Sequence, residues 1–331
     1  MNLRNHMVWG AVLLICLFLL GCKGESGADH AGAYSVRDAK GTEVQLAKKP
    51  DKILTLSIGC DTIVLGLVTS DHMAAVNALL DDPNSSNIAP IAARVKQKIK
   101  NPTAEEILAM RPDLVIVPDW KDIKIVDSLR ELGIPVLVVK GAVNLSEIKE
   151  NIEMIAAALD EQEKGRQLIA MMDKELADIQ EKVSRIPEGD RKNVVLISLM
   201  TSYGGIGCAY DDACRYAGVI NGISAAGLHN GQMLTKELLV KIDPDILLMP
   251  VYNDHGQFDT QQFVDEYLLD PSLQSMKAIR AGAVVYPRDG YIYNVSQDFV
   301  YGVREIARSA YGEAFDFPDA MHLSVSGEKN E

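Results

Sequence analysis

The chain has 331 residues, 47% of them apolar and 24% charged, which is ordinary globular composition and enough length for two domains. It carries 33 Lys and Arg against 46 Asp and Glu, a net charge of −13, which argues against nucleic acid as a partner and leaves room for a locally basic ligand site. Five cysteines without a C-x-x-C pair set aside zinc knuckles and thioredoxin-type redox sites.

The first feature in chain order is the apolar run Met7–Gly21. It falls short of the roughly 20 residues that cross a bilayer as a helix. Arg4 is the only Lys, Arg, Asp or Glu before it ends. A positive start, a short apolar core and a small closing residue make a secretory leader. The ending Leu19-Leu20-Gly21-Cys22 resembles the lipobox of bacterial lipoproteins, in which cleavage precedes the cysteine and the cysteine is lipidated. That resemblance implies a signal peptide over residues 1–21, a lipid on Cys22 and a membrane-anchored chain. Each buried acyl CH₂ contributes about 0.8 kcal/mol to such an anchor. The alternative is an ordinary leader followed by an incidental cysteine. Residues 22–33, rich in Gly, Ser and Ala, read as a flexible tether.

Short apolar runs then alternate with helical patterns. The predicted strands are Lys52–Leu56, Met73–Val76, Leu114–Val117, Val136–Val139, Val194–Leu199, Ile246–Met249 and Val284–Tyr286. They are apolar throughout, as strands covered on both faces are. An N-terminal lobe is expected over residues 34–159. Asn144 with Glu147 has capping-box spacing, and so has Asp160 with Glu163. From Glu161 to Ile186 no proline interrupts, and Leu168, Met171, Met172, Leu176, Ile179 and Val183 recur at helical spacing. This predicts a connecting helix within residues 160–187, long enough to reach about 39 Å. A coiled coil is the competing reading, but the segment is short and flanked by strands. Residues 188–318 read as a C-terminal lobe and 319–331 as a tail.

Two stretches echo each other without a gap, TAEEILAMRPDLVIVP from Thr103 and TKELLVKIDPDILLMP from Thr235. Each reads as one unit. A threonine caps a short helix, a Pro-Asp turn ends it, and a buried strand closes on proline. The fold class that follows is α/β, with two Rossmann-like lobes built on mainly parallel sheets and joined by one long helix.

Several motifs in this order carry a resemblance. They are YSVRDAKGTEVQLAKKPDKILTLS, NPTAEEILAMRPDLVIVPDW, CRYAGVINGI, TKELLVKIDPDILLMP and SQDFVYGVREIARSAYGEAF. From Tyr34 to about Phe317 the chain resembles the helical-backbone (class III) substrate-binding proteins of bacterial ABC importers for ferric siderophores, haem and cobalamin. The resemblance implies a monomeric binding protein without a resident cofactor, whose cargo itself contains Fe or Co. It implies a permease and its ATPase as partners. Glu105 and Glu237 match the glutamates that dock onto permease arginines. Each also lies in a first helical turn, where a negative charge suits the helix dipole. The expected location is the periplasm or the outer face of the cell membrane.

Ligands bind beyond the carboxyl ends of strands in open α/β sheets. The candidate lining is therefore Ser57, Cys60 and Asp61 in the N-lobe, with Asp119 and Trp120. In the C-lobe it is Tyr203, Tyr210, Tyr252, Asn253, Asp254, His255, Tyr291 and Tyr293. Aromatic walls with a few polar groups suit a large planar or macrocyclic ligand. Trp120 covering a sheet end, and half-buried structural tyrosines, are the plainer readings. His255 or a tyrosinate is able to ligate haem iron, whereas a solvated loop histidine needs no such role. His72 with Met73 makes a candidate metal pair, although Met73 begins a strand. Arg94 and Arg215 suit acidic ligand groups or surface ion pairs. Cys208 and Cys214 are spaced for a small-loop disulfide in an oxidising compartment, with two free thiols as the alternative.

Other classes leave weaker traces. Gly204–Gly207 follows a strand, but Tyr210 stands where a dinucleotide fingerprint requires glycine. Neither a P-loop nor G-x-S-x-G occurs, so a secreted α/β hydrolase is a distant alternative. A binding protein for a free transition metal or another small nutrient is the nearer one, weakened by having only six histidines, one of them in the leader.

Overall fold

The computed structural model describes residues 32–252 and 255–330. Residues 1–31, Asn253, Asp254 and Glu331 lie outside the described residues, and with them the expected leader, the expected lipid on Cys22 and most of the expected tether. Among the described residues no helix is long and apolar enough to cross a membrane.

Runs of Val, Ile and Leu become strands because both faces of each sheet are covered. An antiparallel hairpin of β1 (Tyr34–Arg37) and β2 (Glu43–Leu46) opens the chain. The N-lobe sheet contains β3 (Ile53–Thr55), β4 (Met73–Asn77), β5 (Lys98–Ile99), β6 (Leu114–Pro118) and β7 (Val136–Val139). Its order is β5-β4-β3-β6-β7 and every pairing is parallel. The C-lobe sheet contains β8 (Asn193–Leu196), β9 (Ile220–Asn221), β10 (Ile246–Leu248) and β11 (Val284–Val285). Its order is β11-β10-β8-β9, again parallel throughout. All seven predicted strands are present. The two-residue strands β5 and β9 are too short to leave an apolar run. β8 stops at Leu196, before the predicted end, because Ser198 Oγ accepts from Met200 N and turns the chain into a loop.

The internal echo is built into the backbone. Thr103 caps the helix Ala104–Met110 in a full capping box with Glu106, and Thr235 caps the helix Lys236–Ile242 by accepting from Leu238 N. Asp113 then closes onto the start of β3, its N–H donating to Lys52 O at 2.7 Å and its carboxylate accepting from Lys52 N at 3.2 Å. Asp245 makes the same clamp on the start of β8, through Asn193 O at 2.8 Å and Asn193 N at 2.9 Å.

The linking helix runs Gln162–Val183 and buries the stripe Leu168, Met172, Ile179 and Val183. It packs on the helix Leu145–Ala158, which is capped by Asn144 accepting from Glu147 N. Asp160 does not cap the linking helix as its spacing suggested. It adopts the left-handed conformation (φ 52°) at the end of the preceding helix, and Glu161 takes the N-cap position. Alternate residues of each strand feed different cores. Ile53, Leu137, Leu168, Met172, Val194 and Leu248 belong to one continuous core shared by both lobes. Leu54, Val115 and Val136 pack on the outer face of the N-lobe sheet, and Val195, Ile197 and Leu247 on that of the C-lobe sheet.

The expected Cys208–Cys214 disulfide is not formed, and both residues, like Cys60, are buried free thiols. Cys208 caps the helix Ala209–Tyr216 and Cys214 lies within it. Six residues of helix rise span about 9 Å, beyond the roughly 4.4–6.8 Å Cα separation that a disulfide bridges. Cys208 Sγ donates instead to Gly205 O at 3.1 Å.

Candidate functional site

The carboxyl ends of both sheets point into the space between the lobes, and three sets of contacts frame it. After β7, Leu145 N donates to Asp212 Oδ2 at 2.8 Å. After β4, Asp81 Oδ1 lies 3.0 Å from His255 Nε2, and Asp82 accepts from His255 N at 3.4 Å. Gly59, after β3, meets Val295 so closely that a Cβ on it would stand 2.8 Å from the valine side chain. By strand order, the loop after β6 lies between these contacts, opposite the loops that leave β8 and β10.

Trp120 occupies that loop and is 63% exposed. Its ring edge lies against Gly141, where any side chain would collide, a Cβ coming 2.6 Å from Trp120 Cδ1. Asp119 fixes the loop, accepting from Gly141 N at 2.8 Å and pairing with Lys40 Nζ at 3.2 Å. Lys121 Nζ sits 5.1 Å over the indole. Ser57 caps the helix Ile58–Leu67 by accepting from Cys60 N at 3.2 Å and is half-buried.

Cys60 and Asp61 do not line the cleft. The first turn of their helix rotates both into the protein, and Asp61 is fully buried. Its carboxylate accepts from Thr55 Oγ1 at 2.8 Å and Asn77 N at 2.9 Å, tying the ends of β3 and β4 together. Burial raises Asp61 to a pKa of about 7 and the Cys60 thiol to about 12.

In the C-lobe, Tyr203 and Tyr293 stack tilted at 5.4 Å, and Tyr293 OH donates to Ser198 Oγ at 3.0 Å. Burial pushes both phenols well above their ordinary range, so neither is a ready tyrosinate. Tyr252 is half-buried beside Phe258, with ring centroids 6.2 Å apart. Its N–H and that of Val251 donate to Asp289 Oδ2 at 2.8 and 3.1 Å. Asp289 is buried and is raised by desolvation to about 7. It holds the loop after β10 as Asp61 holds the loop after β4. Tyr210 and Tyr291 do not line the cleft as expected, because both are buried. Tyr210 faces the shared core from the first turn of its helix. Tyr291 packs edge-on to Tyr301 and Phe317, and its OH donates to Met321 O at 3.2 Å.

Both arginines named from the sequence are engaged in ion pairs, although the Arg215 side chain stays largely exposed. Arg94 pairs with Glu328 at 2.7 Å and Arg215 pairs with Asp212. His72 lies 3.1 Å from Asp51, and Met73 is buried in β4, so they make no metal pair. Among the described residues no group of three His, Cys, Asp or Glu side chains is placed to hold a metal ion.

Four lining candidates were not read from the sequence. Met200, after β8, is 53% exposed and Met233 is 64% exposed. Phe258 and Val143 also expose apolar surface. The Met233 loop is fastened beside that of Met200, since Gly231 N donates to Ser202 O at 2.8 Å and Ile206 bridges to His229. The usable signal was a large apolar residue stranded in a polar loop, as in LMTSYGG and NGQMLT. At the flank between the lobes, a cavity of about 530 Å³ is bounded by Val143, Asn144, Gly207, Asp211, Arg215 and Tyr216. A second, of about 520 Å³, lies away from the cleft around Arg288, Arg308 and Phe317, and its arginines are engaged by Glu305.

Glu105 and Glu237 are exposed at the first turns of the two equivalent helices. Hydrogen bonds from its own backbone N–H and from Thr235 hold the Glu237 carboxyl below the usual range.

The pattern of the family described as periplasmic binding protein matches residues 53–289. Among similar proteins, the uncharacterized ABC transporter substrate-binding lipoprotein YvrC of Bacillus subtilis is 25% identical over 323 residues, covering 93% of this chain and 98% of that one. The Fe(3+)-citrate-binding protein YfmC of the same organism is 20% identical over 298 residues, covering 84% and 87%. Among solved structures, the molybdate periplasmic binding protein MolA of Haemophilus influenzae superposes with a TM-score of 0.70 at 15% identity, covering 85% of this chain and 92% of that one.

Proposed function

The chain belongs to the periplasmic binding protein family, as the substrate-binding component of an ABC importer and not an enzyme, and we propose that its cargo is an iron complex, siderophore or haem, or cobalamin. The observation that carries this reading is apolar exposure on both banks of the cleft. Trp120 is exposed in the loop after β6 of the N-lobe, and Met200, Met233 and Phe258 are exposed in loops of the C-lobe, which this reading takes as the two banks. A small oxyanion like the molybdate in MolA calls for hydrogen-bond donors and cations. Indole and thioether surfaces suit a broad, partly apolar metal complex. The name of YfmC, an iron-chelate binder, supports the same class of cargo.

Glu105 and Glu237 are the contacts to the permease in this reading, one on each lobe. Residues 1–21 direct export, and a lipid on Cys22 holds the receptor at the membrane through the tether that follows. The ATPase partner acts through the permease.

Isothermal titration of the protein with haemin, cobalamin, ferric citrate and molybdate tests the cargo class. A Kd below about 1 μM, equivalent to roughly −8 kcal/mol, for one of the first three supports it. Tight binding of molybdate alone contradicts it.

A further inference from the structure

The last twelve described residues do more than end the chain. Their first half is bonded to the C-lobe. Leu323 N donates to Asp298 Oδ1 at 2.8 Å, and His322 Nδ1 lies 2.7 Å from Asp298 Oδ2. Their second half is bonded to the N-lobe. Val325 N donates to Gly66 O at 2.8 Å, and Ser70 N and Oγ donate to the Glu328 carboxylate at 2.6 and 2.8 Å. Arg94 adds an ion pair to the same carboxylate at 2.7 Å. Asn330 Nδ2 donates to Asn87 O at 2.8 Å and to Ala320 O at 2.6 Å, which closes the segment on itself.

Two side chains at the crossing bond the segment and both lobes at once. Asn87 Nδ2 of the N-lobe donates to Asp298 Oδ2 at 2.7 Å and to Met321 O at 2.9 Å. Gln297 Nε2 of the C-lobe donates to Thr62 O at 2.7 Å and to Leu323 O at 3.2 Å. Asp298 and Gln297 are fully buried, and Leu323 nearly so. Bonds broken there are not replaced by water, so each loss costs more than an exposed bond would.

We propose that residues 319–330 form a strap that fixes the spacing of the two lobes and so the resting width of the cleft. Rotating one lobe away from the other stretches the strap between Asp298 and Gly66, and the buried joint resists. The linking helix limits opening by its stiffness, and the strap adds a second tie bonded to both lobes. The strap holds whatever the cargo is.

The test places spin labels at Asp127→Cys and Glu266→Cys, exposed positions one on each lobe, in the full chain with Cys16 and Cys22 replaced by serine. Cys60, Cys208 and Cys214 are buried and do not compete for label. Double electron–electron resonance then reads the distance between lobes. A narrow distribution is expected for the parent chain, and a broader one shifted to longer distance when the chain stops after Pro318. Glu328→Ala removes the Arg94 ion pair and the two Ser70 hydrogen bonds while leaving the Gly66 and Asn87 bonds in place, and is expected to broaden the distribution in the same direction by less. A truncated chain that melts cooperatively and keeps the parent distribution overturns the proposal. If truncation prevents folding, an unchanged distribution in Glu328→Ala overturns it equally.

Discussion

Arg111 and Asp243 end equivalent helices of the two lobes in the same left-handed conformation, with φ of 51° and 46°. Two residues later, Asp113 and Asp245 clamp the starts of β3 and β8 in the same way. The echo between the lobes therefore extends from sequence to backbone conformation to hydrogen bonding. A side chain in that conformation is strained where glycine is not. Arg111→Gly is expected to stabilise the protein by about 0.5–1 kcal/mol. Asp243→Gly should gain less, because the Asp243 carboxylate also accepts from Lys277 N at 2.7 Å. Urea denaturation of the two variants checks the difference.

The glutamates on those helices test delivery separately from capture. Glu105→Lys with Glu237→Lys should leave cargo affinity unchanged, since both side chains are exposed at helix starts and neither is among the candidate lining residues. Uptake of cargo into cells should fall to background. Normal uptake in the double variant would refute the docking role.

Met200→Ser with Met233→Ser is expected to weaken cargo binding by roughly tenfold, the loss of two thioether contacts. The melting temperature should barely move, because both side chains are already largely exposed. A calorimetric titration paired with a thermal melt separates the two effects.

Asp61 and Asp289 give the fold an unusual pH dependence. Each carboxyl has a folded pKa of about 7 against an ordinary value of 3.8, raised first by desolvation. The folded state thus binds these protons more tightly than the unfolded state does. Their contribution to stability is fully present below about pH 4 and is lost as pH rises toward 7. Asp61→Asn removes one charge while keeping an oxygen for Asn77 N–H. It should lose less stability than the parent between pH 5 and pH 8. Denaturant midpoints at the two pH values measure this, and equal losses would show that Asp61 is not the group responsible.

Much of this architecture was legible because burial writes itself into composition. Strands covered on both faces favour unbroken Val, Ile and Leu, so β6, β7, β8 and β10 stood out. Thr103, Asn144 and Thr235 announced helix starts because a free N–H there needs a side-chain oxygen. The site was less legible. Which way a side chain after a strand points depends on the helix that follows, and helix rotation carried Cys60, Asp61 and Tyr210 inward. Asp160 had the spacing of a cap, but the tight turn between two packed helices claimed it for a left-handed residue. Tyr291 went to a stacked aromatic cluster with Tyr301 and Phe317, distant in sequence and beyond any local pattern. Met200 and Met233 were missed because methionine most often signals core.

Cargo held in the cleft should touch Trp120, and the chain offers a direct reading of that contact. Of its two tryptophans, Trp9 and Trp120, a soluble form beginning at Lys23 retains Trp120 alone. Its emission would be followed during titration with haemin, cobalamin and ferric chelates, with affinity measured independently from the absorbance of each ligand. Saturable quenching by one complex is expected, with about a tenfold loss of affinity for that complex in Trp120→Ala. No saturable response to any of them, or an affinity unchanged by Trp120→Ala, would contradict it.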